Sequence, residues 1–270
     1  KESTTIYSLI GHSSSQPKIA YASVLFGNSP QDTFNIAGDL KKQNFKAVKF
    51  GWQNFGLNFS QDQEHLVAAR EALGNEIKLM IDVGAIWGTD IEEASKRSKI
   101  FKDNNITWLE EPFYTDAYYE YGQLSTTSNL PLAGGESCHS IESAKNLINY
   151  GKVKFIQIDA GIAGGILAGN EICNFAEKNN VQYVNHTFTS HLQLSSSIQP
   201  YASSTFSIYA EYPMQLKSLA WDITENHITK DHNGMINLPL DVGHGMKINQ
   251  KALEQYNVDV EIFVNKKQLF

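Results

Sequence analysis

Short apolar runs alternate along the chain with longer amphipathic stretches. The runs are rich in β-branched and aromatic residues, which is typical of strands, and the stretches between them repeat apolar residues at helical spacing. The predicted strands are Ile19–Leu25, Phe45–Phe50, Ile77–Val83, Ile106–Glu110, Leu130–Gly134, Val153–Asp159, Val181–Asn185 and Phe206–Glu211. Alternating strands and helices predict parallel βαβ units, and eight strands predict an α/β fold of the TIM-barrel type.

An open, doubly wound sheet is the alternative arrangement of such units. The first βα turn lacks the Gly-x-Gly-x-x-Gly pattern of dinucleotide-binding folds, which favours the closed barrel. Helix starts support the alternation. Ser29 followed by Pro30 predicts a capped helix, and Thr89 followed by Glu92 three positions later predicts a capping box.

Length and charge narrow the class of protein. The 270 residues suffice for one barrel of about 250 residues or for two smaller domains. The formal charge is −7 and no block of Lys and Arg is present, so no nucleic-acid partner is expected. No apolar run approaches the length of about 18 residues that predicts a membrane span. The two cysteines are too few for a disulfide framework, so a reducing, cytoplasmic location is expected.

Polar residues end the predicted strands and, from Asp82 onward, recur at a regular interval of about one βα unit. These residues are Lys49, Asp82, Glu110, Glu136, Asp159, His186 and Glu211. The carboxyl ends of all strands in a barrel meet at one face, where such enzymes place their active sites. Residues far apart in the sequence are therefore predicted to converge on one pocket.

Three of these residues predict a metal site. Asp82, Glu110 and Glu136 come from neighbouring strands, and three carboxylates suit a hard cation that prefers oxygen ligands. Holding three negative charges in one pocket is costly unless a cation offsets them. We therefore predict Mg²⁺ as the cofactor, placed to stabilise negative charge that develops when a proton is removed next to a carboxylate.

Two further residues are placed to move that proton. Lys49 and His186 would lie on opposite sides of the barrel mouth, flanking the metal, and Asp159 would hold the imidazole in one tautomer. Lys49 also permits another reading, in which it is the nucleophile of a Schiff-base aldolase. Neighbouring carboxylates disfavour that reading because they keep the amine charged.

These residues, in this order, resemble the barrel domain of the enolase superfamily, in its mandelate racemase-like group. The resemblance covers about residues 21–246. It is carried by Ile81-Asp82-Val83, Trp108-Leu109-Glu110-Glu111-Pro112, Gly135-Glu136-Ser137, Tyr209-Ala210-Glu211, Lys49, Asp159 and His186. It implies a (β/α)7β barrel with Mg²⁺ on the three carboxylates, catalysis by Lys49 and the Asp159–His186 dyad, and a hydrogen bond between Glu211 and the substrate carboxylate.

The chain departs from the family pattern in ways that matter for function. Ala47 replaces the first lysine of the family's Lys-x-Lys motif, and Ile162 stands where some relatives carry a lysine, so a lysine–lysine mechanism is disfavoured. By the same resemblance, residues 1–20 are expected to form a linker, 21–246 the metal-binding barrel, and 247–270 a segment packed on the barrel or on a capping domain. The family's N-terminal capping domain is not expected within this chain.

The resemblance implies removal of the proton at C2 of a sugar acid, followed by β-elimination at C3. The stretches 45–52 and 185–191 resemble 3,6-anhydro-L-galactonate cycloisomerases, which open a ring, and acid-sugar dehydratases, which lose water, are closely similar. Return of the proton to C2 would instead make the enzyme a racemase or epimerase of a 2-hydroxy acid. A small sugar acid is the expected partner, and a homo-oligomer the expected assembly.

Overall fold

The computed structural model describes residues 3–214, 216–258, 263–265 and 267–268. Eight parallel strands form its central sheet, in the order β7-β6-β5-β4-β3-β2-β1-β8. They are β1 Lys18–Leu25, β2 Ala47–Gly51, β3 Lys78–Asp82, β4 Ile106–Glu110, β5 Leu132–Gly134, β6 Phe155–Ile158, β7 Gln182–Asn185 and β8 Tyr209–Pro213. The short β9, Met235–Ile236, pairs antiparallel with β1, and β10, Phe263–Val264, pairs with β11, Lys267–Gln268. The predicted TIM-like barrel is confirmed.

Helices follow the strands along the chain. They are α1 Ile6–Leu9, α2 Pro30–Lys42, α3 Phe59–Leu73, α4 Ile91–Lys96, α5 Ser98–Asp103, α6 Tyr118–Ser128, α7 Ile141–Asn149, α8 Ile166–Lys178, α9 His191–Ile198, α10 Ser218–Asp222 and α11 Gln250–Gln255. A 3-10 helix, Gln199–Tyr201, continues α9. None of the helices in the described part of the chain is both long and apolar enough to cross a bilayer.

Side-chain caps set where α2 and α4 begin, the two helices whose starts were predicted from a capping pattern. Ser29 accepts a hydrogen bond from the backbone N–H of Asp32 and the Asp32 carboxylate accepts from the Ser29 N–H, so the predicted start of α2 is confirmed. The predicted capping box at Thr89 is wrong by one position. Asp90 caps α4, because its carboxylate, rather than the Thr89 hydroxyl, accepts from the N–H of Glu93.

The barrel interior is filled by one apolar layer to which every strand contributes. Its members are Tyr21, Ala47, Met80, Trp108, Ala133, Phe155, Val184 and Tyr209. Trp108 is the largest of them and packs edge-on against Tyr21 and Tyr209, with ring centroids 5.5 and 5.6 Å apart. This layer closes the barrel from within, so the space above it at the strands' carboxyl ends is a dead-ended pocket.

Side chains close the barrel between β7 and β8, where the described strands share no backbone ladder. The Asn185 amide donates to the carbonyl of Glu211 at 3.2 Å and accepts from the Glu211 N–H at 3.1 Å. Below it, the N–H of Tyr183 donates to the Ser207 hydroxyl at 2.9 Å. Side-chain groups therefore satisfy the strand edges that would otherwise be left unpaired.

Candidate metal and proton-transfer site

Strand alternation places a polar layer directly above the apolar one. Lys49, Asp82, Glu110, His186 and Glu211 each lie two positions after a residue of the inner layer, and side chains two apart point to the same side of a strand. All but His186, which is half-buried, are buried within the barrel mouth. The convergence predicted from the strand ends is therefore present in the fold.

Asp82, Glu110 and Glu136 form one cluster, with a carboxylate oxygen from each lying within 4.8 Å of the others. Glu136 follows the end of β5, after Gly135, whose φ of 118° favours glycine. A Cβ at Gly135 would also lie 2.9 Å from the carbonyl oxygen of Gln157. Any larger residue would push Glu136 away from the other two carboxylates.

Lys49 lies at the centre of the carboxylates. Its Nζ is 2.5 Å from Glu110 Oε1, 2.9 Å from Glu211 Oε1 and 3.4 Å from Asp82 Oδ2. Burial by itself lowers the pKa of Lys49, but these carboxylates raise its pKa well above the ordinary value. The ammonium group is therefore the internal counter-charge of the cluster.

Fixed N–H donors orient the carboxylates. The Trp108 indole donates to Glu110 Oε2 at 2.9 Å, and the Trp52 indole donates to Asp82 Oδ2 at 3.2 Å. The backbone N–H of Gly84 donates to the other oxygen of Asp82 at 2.9 Å. Burial raises the pKa of Glu110 well above its ordinary value, so this site favours either a proton or a cation on the cluster.

His186 and Asp159 form the predicted dyad. His186 Nδ1 is 3.0 Å from Asp159 Oδ2, which also accepts from the Gln193 amide at 2.8 Å, while Asp159 Oδ1 accepts from the N–H of Gly161. An ionised carboxylate can only accept, so His186 donates from Nδ1. Its Nε2 is left pointing into the mouth, 3.3 Å from Glu136 Oε2.

Electrostatics keep this imidazole protonated near neutral pH. Burial lowers the pKa of His186, but the hydrogen bond that His186 donates to Asp159 and the charges of Glu211 and Glu136 outweigh burial and raise the pKa to about 9. Burial raises the pKa of Asp159, yet its hydrogen bonds bring the net pKa below the ordinary value. The dyad is thus poised as a proton donor.

Glu211 links the two sides of the site. Its Oε1 contacts Lys49 and its Oε2 accepts from the backbone N–H of Thr187 at 2.8 Å. Burial raises the pKa of Glu211, but Lys49, His186 and the hydrogen bond from Thr187 lower it below the ordinary value overall. Glu211 is therefore an ionised acceptor in the mouth.

Glu111 lies next to the metal-site candidate Glu110 but belongs to a different environment. Its backbone φ is 42°, and its carboxylate accepts from the N–H of Gly135 at 3.3 Å. Burial, with the charges of Glu136 and Asp82, raises the pKa of Glu111 to about 8. Its contact with Gly135 ties the loop that carries Glu136 to the end of β4.

A cavity of about 280 Å³ opens onto these groups. Lys49, Asp82, Glu136, His186 and Glu211 line its floor and sides, together with exposed aromatic side chains at its rim. The volume suits a small molecule, and charged groups of both signs meet in it.

Every predicted site residue lies at this mouth, whereas several that support it were not predicted. Gln193 holds Asp159, Trp52 holds Asp82, and the N–H of Thr187 holds Glu211. Ser190 followed by Gln193 three positions later is a capping pattern that marks the start of α9, but it does not signal contact with Asp159. Such contacts depend on distances that only the folded chain defines.

Part of the sequence of this chain is similar to part of the sequences of two characterised enzymes. The chain is 25% identical over 235 residues to a D-galactarolactone cycloisomerase of Agrobacterium fabrum, which covers 84% of this chain and 61% of the relative. It is 35% identical over 143 residues to an L-talarate/galactarate dehydratase of Salmonella typhimurium, which covers 52% of this chain and 35% of the relative. The chain thus spans less than two thirds of the length of these relatives.

A solved structure and a family match agree with them. The structure of a predicted mandelate racemase from Rhodobacter sphaeroides superposes with a TM-score of 0.93 at 39% identity, covering 99% of this chain and 69% of the other. The family described as enolase C-terminal domain-like matches residues 35–252, which is most of the chain. The chain therefore belongs to the enolase superfamily of enzymes, in its mandelate racemase-like group.

Proposed function

We propose that this protein removes the proton at C2 of a sugar acid with the help of Mg²⁺ and then expels the oxygen at C3. The expelled oxygen is either a ring ether, as in a 3,6-anhydro-L-galactonate cycloisomerase, or a hydroxyl, as in an acid-sugar dehydratase. The observation that carries the proposal is the meeting of three carboxylates with a lysine on one side and a histidine–aspartate dyad on the other.

The carboxylate cluster fits a hard divalent cation. Asp82, Glu110 and Glu136 offer only oxygen atoms, and burial raises the pKa of both glutamates, so three uncompensated negative charges would be costly to hold here. Mg²⁺ bound there would supply positive charge that offsets the negative charge developing on the substrate carboxylate. The identity of the metal is part of the proposal.

Lys49 is the group that takes the C2 proton. In the structure its own proton is held by Glu110 and Glu211, so it can act as a base only when the carboxylates are engaged elsewhere, as they would be in holding a cation and the substrate. A Schiff-base aldolase also needs a neutral lysine but has no use for a carboxylate triad. The triad favours metal-dependent proton abstraction.

His186 is the group that protonates the departing oxygen. Its Nε2 faces the mouth, and the hydrogen bond from its Nδ1 to Asp159 raises the pKa of the ring, which suits a general acid. Asp159 holds the ring by accepting from Nδ1, and Glu211 presents an ionised carboxylate between the two proton-transfer groups. A base and an acid that face each other across one pocket suit an elimination.

The test is proton exchange in D₂O with Mg²⁺, followed by NMR, using a set of aldonates and anhydro-aldonates and the purified full-length protein. We expect deuterium at C2 or in the eliminated product, with loss of the C3 oxygen. Lys49→Met should lower exchange by at least about 100-fold, whereas His186→Asn should keep exchange and lose elimination, because acid and base each contribute roughly that factor.

Lys46→Met is the matched control, because Lys46 is exposed just before the same strand. Undiminished exchange in Lys49→Met, or turnover that chelation leaves unchanged, would contradict the mechanism. Trapping of the substrate on Lys49 by borohydride would instead support the Schiff-base aldolase. Exchange with inversion at C2 and no loss of oxygen would make the protein an epimerase.

A further inference from the structure

Two aromatic rings stand exposed at the cavity that holds the proposed site. Trp52 is 55% exposed and Phe188 is 68% exposed, and both line the cavity. Both rings therefore border the space that a substrate of the proposed reaction would occupy, Trp52 beside the carboxylate cluster and Phe188 beside the dyad.

The indole of Trp52 is held rigidly despite its exposure. Its N–H donates to Asp82 Oδ2 and its backbone N–H donates to the Asp82 carbonyl, each at 3.2 Å. Trp52 and Gln53 both adopt left-handed backbone, with φ of 61° and 59°, which is a strained turn for residues with side chains. The ring rests on Gly84, where an added Cβ would lie 3.2 Å from the indole.

The loop that carries Trp52 is anchored at its far end. The carbonyl of Gly56 accepts from the buried Arg97 guanidinium at 2.9 Å and from the Trp87 indole at 3.0 Å. The N–H of Gly56 donates to the buried Asp62 carboxylate at 2.8 Å. Pinned at Gly56 and at Asp82, the loop presents one face of Trp52 to the cavity in a fixed orientation.

Phe188 borders the other side of the same cavity. It follows β7 by three residues, and its ring centroid lies 5.9 Å from that of His186. Trp52 thus flanks the carboxylate cluster and Phe188 flanks the proposed acid. The rim of the pocket is apolar on both sides of a charged floor.

We propose that Trp52 is a specificity-determining residue, whose indole face packs against the C–H face of a cyclic sugar acid and so selects ring-closed over open-chain substrates. The inference rests on the proposed function and names its substrate class. An anhydro ring places several C–H groups on one face, where an aromatic ring can cover them. An open-chain acid distributes hydroxyls along its length and must also freeze its free rotations.

The test compares 3,6-anhydrogalactonate with open-chain galactonate as substrates of the wild type and of Trp52→Leu and Trp52→Phe. Trp52→Leu should raise KM for the cyclic acid by about tenfold and leave KM for galactonate within about twofold, whereas kcat should fall by the same factor for both acids because the variant loses the hydrogen bond to Asp82. Trp52→Phe should bring KM for the cyclic acid most of the way back to the wild-type value, because it keeps an aromatic face, but should leave kcat low, because it also lacks the indole N–H. Tyr114→Leu is the matched control, because Tyr114 is 59% exposed but does not line the cavity.

Several results would overturn the inference while leaving the proposed function intact. One is an equal rise in KM for both acids in Trp52→Leu. Another is a KM for the cyclic acid that is as high in Trp52→Phe as in Trp52→Leu, together with an equal loss of Mg²⁺ affinity in the two variants by calorimetry. That result would make Trp52 a positioning residue for Asp82. Exclusive turnover of open-chain acids would also reject it.

Failure of the proposed function itself has a different signature. In that case neither acid exchanges its C2 proton in the wild type. Calorimetric binding of the two acids then tests the inference by itself. Wild type that binds the cyclic acid more tightly than galactonate, with this preference lost in Trp52→Leu, supports the inference. A cyclic acid that binds wild type and Trp52→Leu with the same Kd rejects it.

Discussion

Two buried basic side chains of this protein have pKa values that are shifted in opposite directions. Lys49 is surrounded by carboxylates, and its pKa rises despite burial. His191, the first residue of α9, is buried among the rings of Tyr212, Trp221 and His227, with centroids 5.0 to 5.8 Å away. Burial, aided by His227, lowers the pKa of His191 from 6.5 to about 4.

His191 should make the protein less stable in mild acid. Between pH 6.5 and about 4 the unfolded chain binds a proton at His191 and the folded chain does not, so stability is present above pH 6.5 and falls as the pH falls. In wild type this costs about 2 kcal/mol between pH 7 and pH 5. Urea unfolding of wild type and His191→Phe at both values measures it, and an equal pH dependence in the two proteins would refute it.

At the scale of single residues, the sequence predicts which chemical groups meet but not what each one contacts. Asp82, Glu110 and Glu136 could be named because each ends a strand or follows it closely. The hydrogen bond from Trp108 to Glu110 could not, because the residues are two apart on one strand and the bond depends on how the indole packs inside the barrel. Side-chain orientation is set by packing, which strand periodicity does not encode.

Among the elements, the loop after β2 and the helices α3 to α5 share one buried ionic anchor. Arg97, between α4 and α5, donates to Asp62 at 2.7 Å and to the carbonyl of Gly56, and both partners in the ion pair are almost fully buried. Burial raises the pKa of Asp62 despite this partner. The buried carboxylate of Asp62 therefore depends on the charge of Arg97 to offset its own negative charge.

Removing Arg97 should destabilise the whole barrel. Arg97→Ala leaves the Asp62 carboxylate buried without its partner, which costs about 3 kcal/mol in free energy of unfolding. The adjacent Lys96→Ala is the matched control, because Lys96 forms only exposed pairs with Glu92 and Glu93 and its loss should be undetectable. Denaturant unfolding measures the free energy of unfolding of both variants. An equal decrease in the two would show that the buried ion pair stabilises the fold no more than an exposed pair does.

The bounds of the elements were predictable where a local signal sets them. Ser29 fixes the start of α2 through its own side chain, and the pattern alone finds it. β8 was predicted from Phe206 but begins at Tyr209, because the Ser207 hydroxyl donates to Glu177 and accepts from Tyr183. The segment before β8 is held by residues that lie 24 and 30 positions away in the sequence, and a local pattern gives no sign of such contacts.

For the whole molecule, we expect the carboxylate cluster to make folding stability depend on a divalent cation. A ligand that binds only the folded state adds about 2.7 kcal/mol at a concentration one hundred times its Kd. We therefore expect Mg²⁺ to raise the midpoint of thermal unfolding and chelation to reverse the rise. Glu136→Gln should reduce the rise and the exposed Glu142→Gln should not, and a rise that is equal in both variants would place the metal elsewhere.

The overall architecture was the most predictable part, because it needs only the alternation of strands and helices. The convergence of the site follows from it, since strand ends of a barrel share one face. The sequence did not predict how the ring of strands closes between β7 and β8. Asn185 was identified only as the end of a strand, yet its amide replaces the backbone ladder between β7 and β8.

That closure also determines what sets the spacing across the mouth of the barrel. β7 leads directly to His186, and β8 carries Glu211, which contacts Lys49, so the seam between these strands runs between the two sides of the site. A strand ladder would supply backbone bonds along this seam, whereas here the side chains of Asn185 and Ser207 supply them. The width of the pocket between His186 and Glu211 therefore rests on two side chains that belong to neither group.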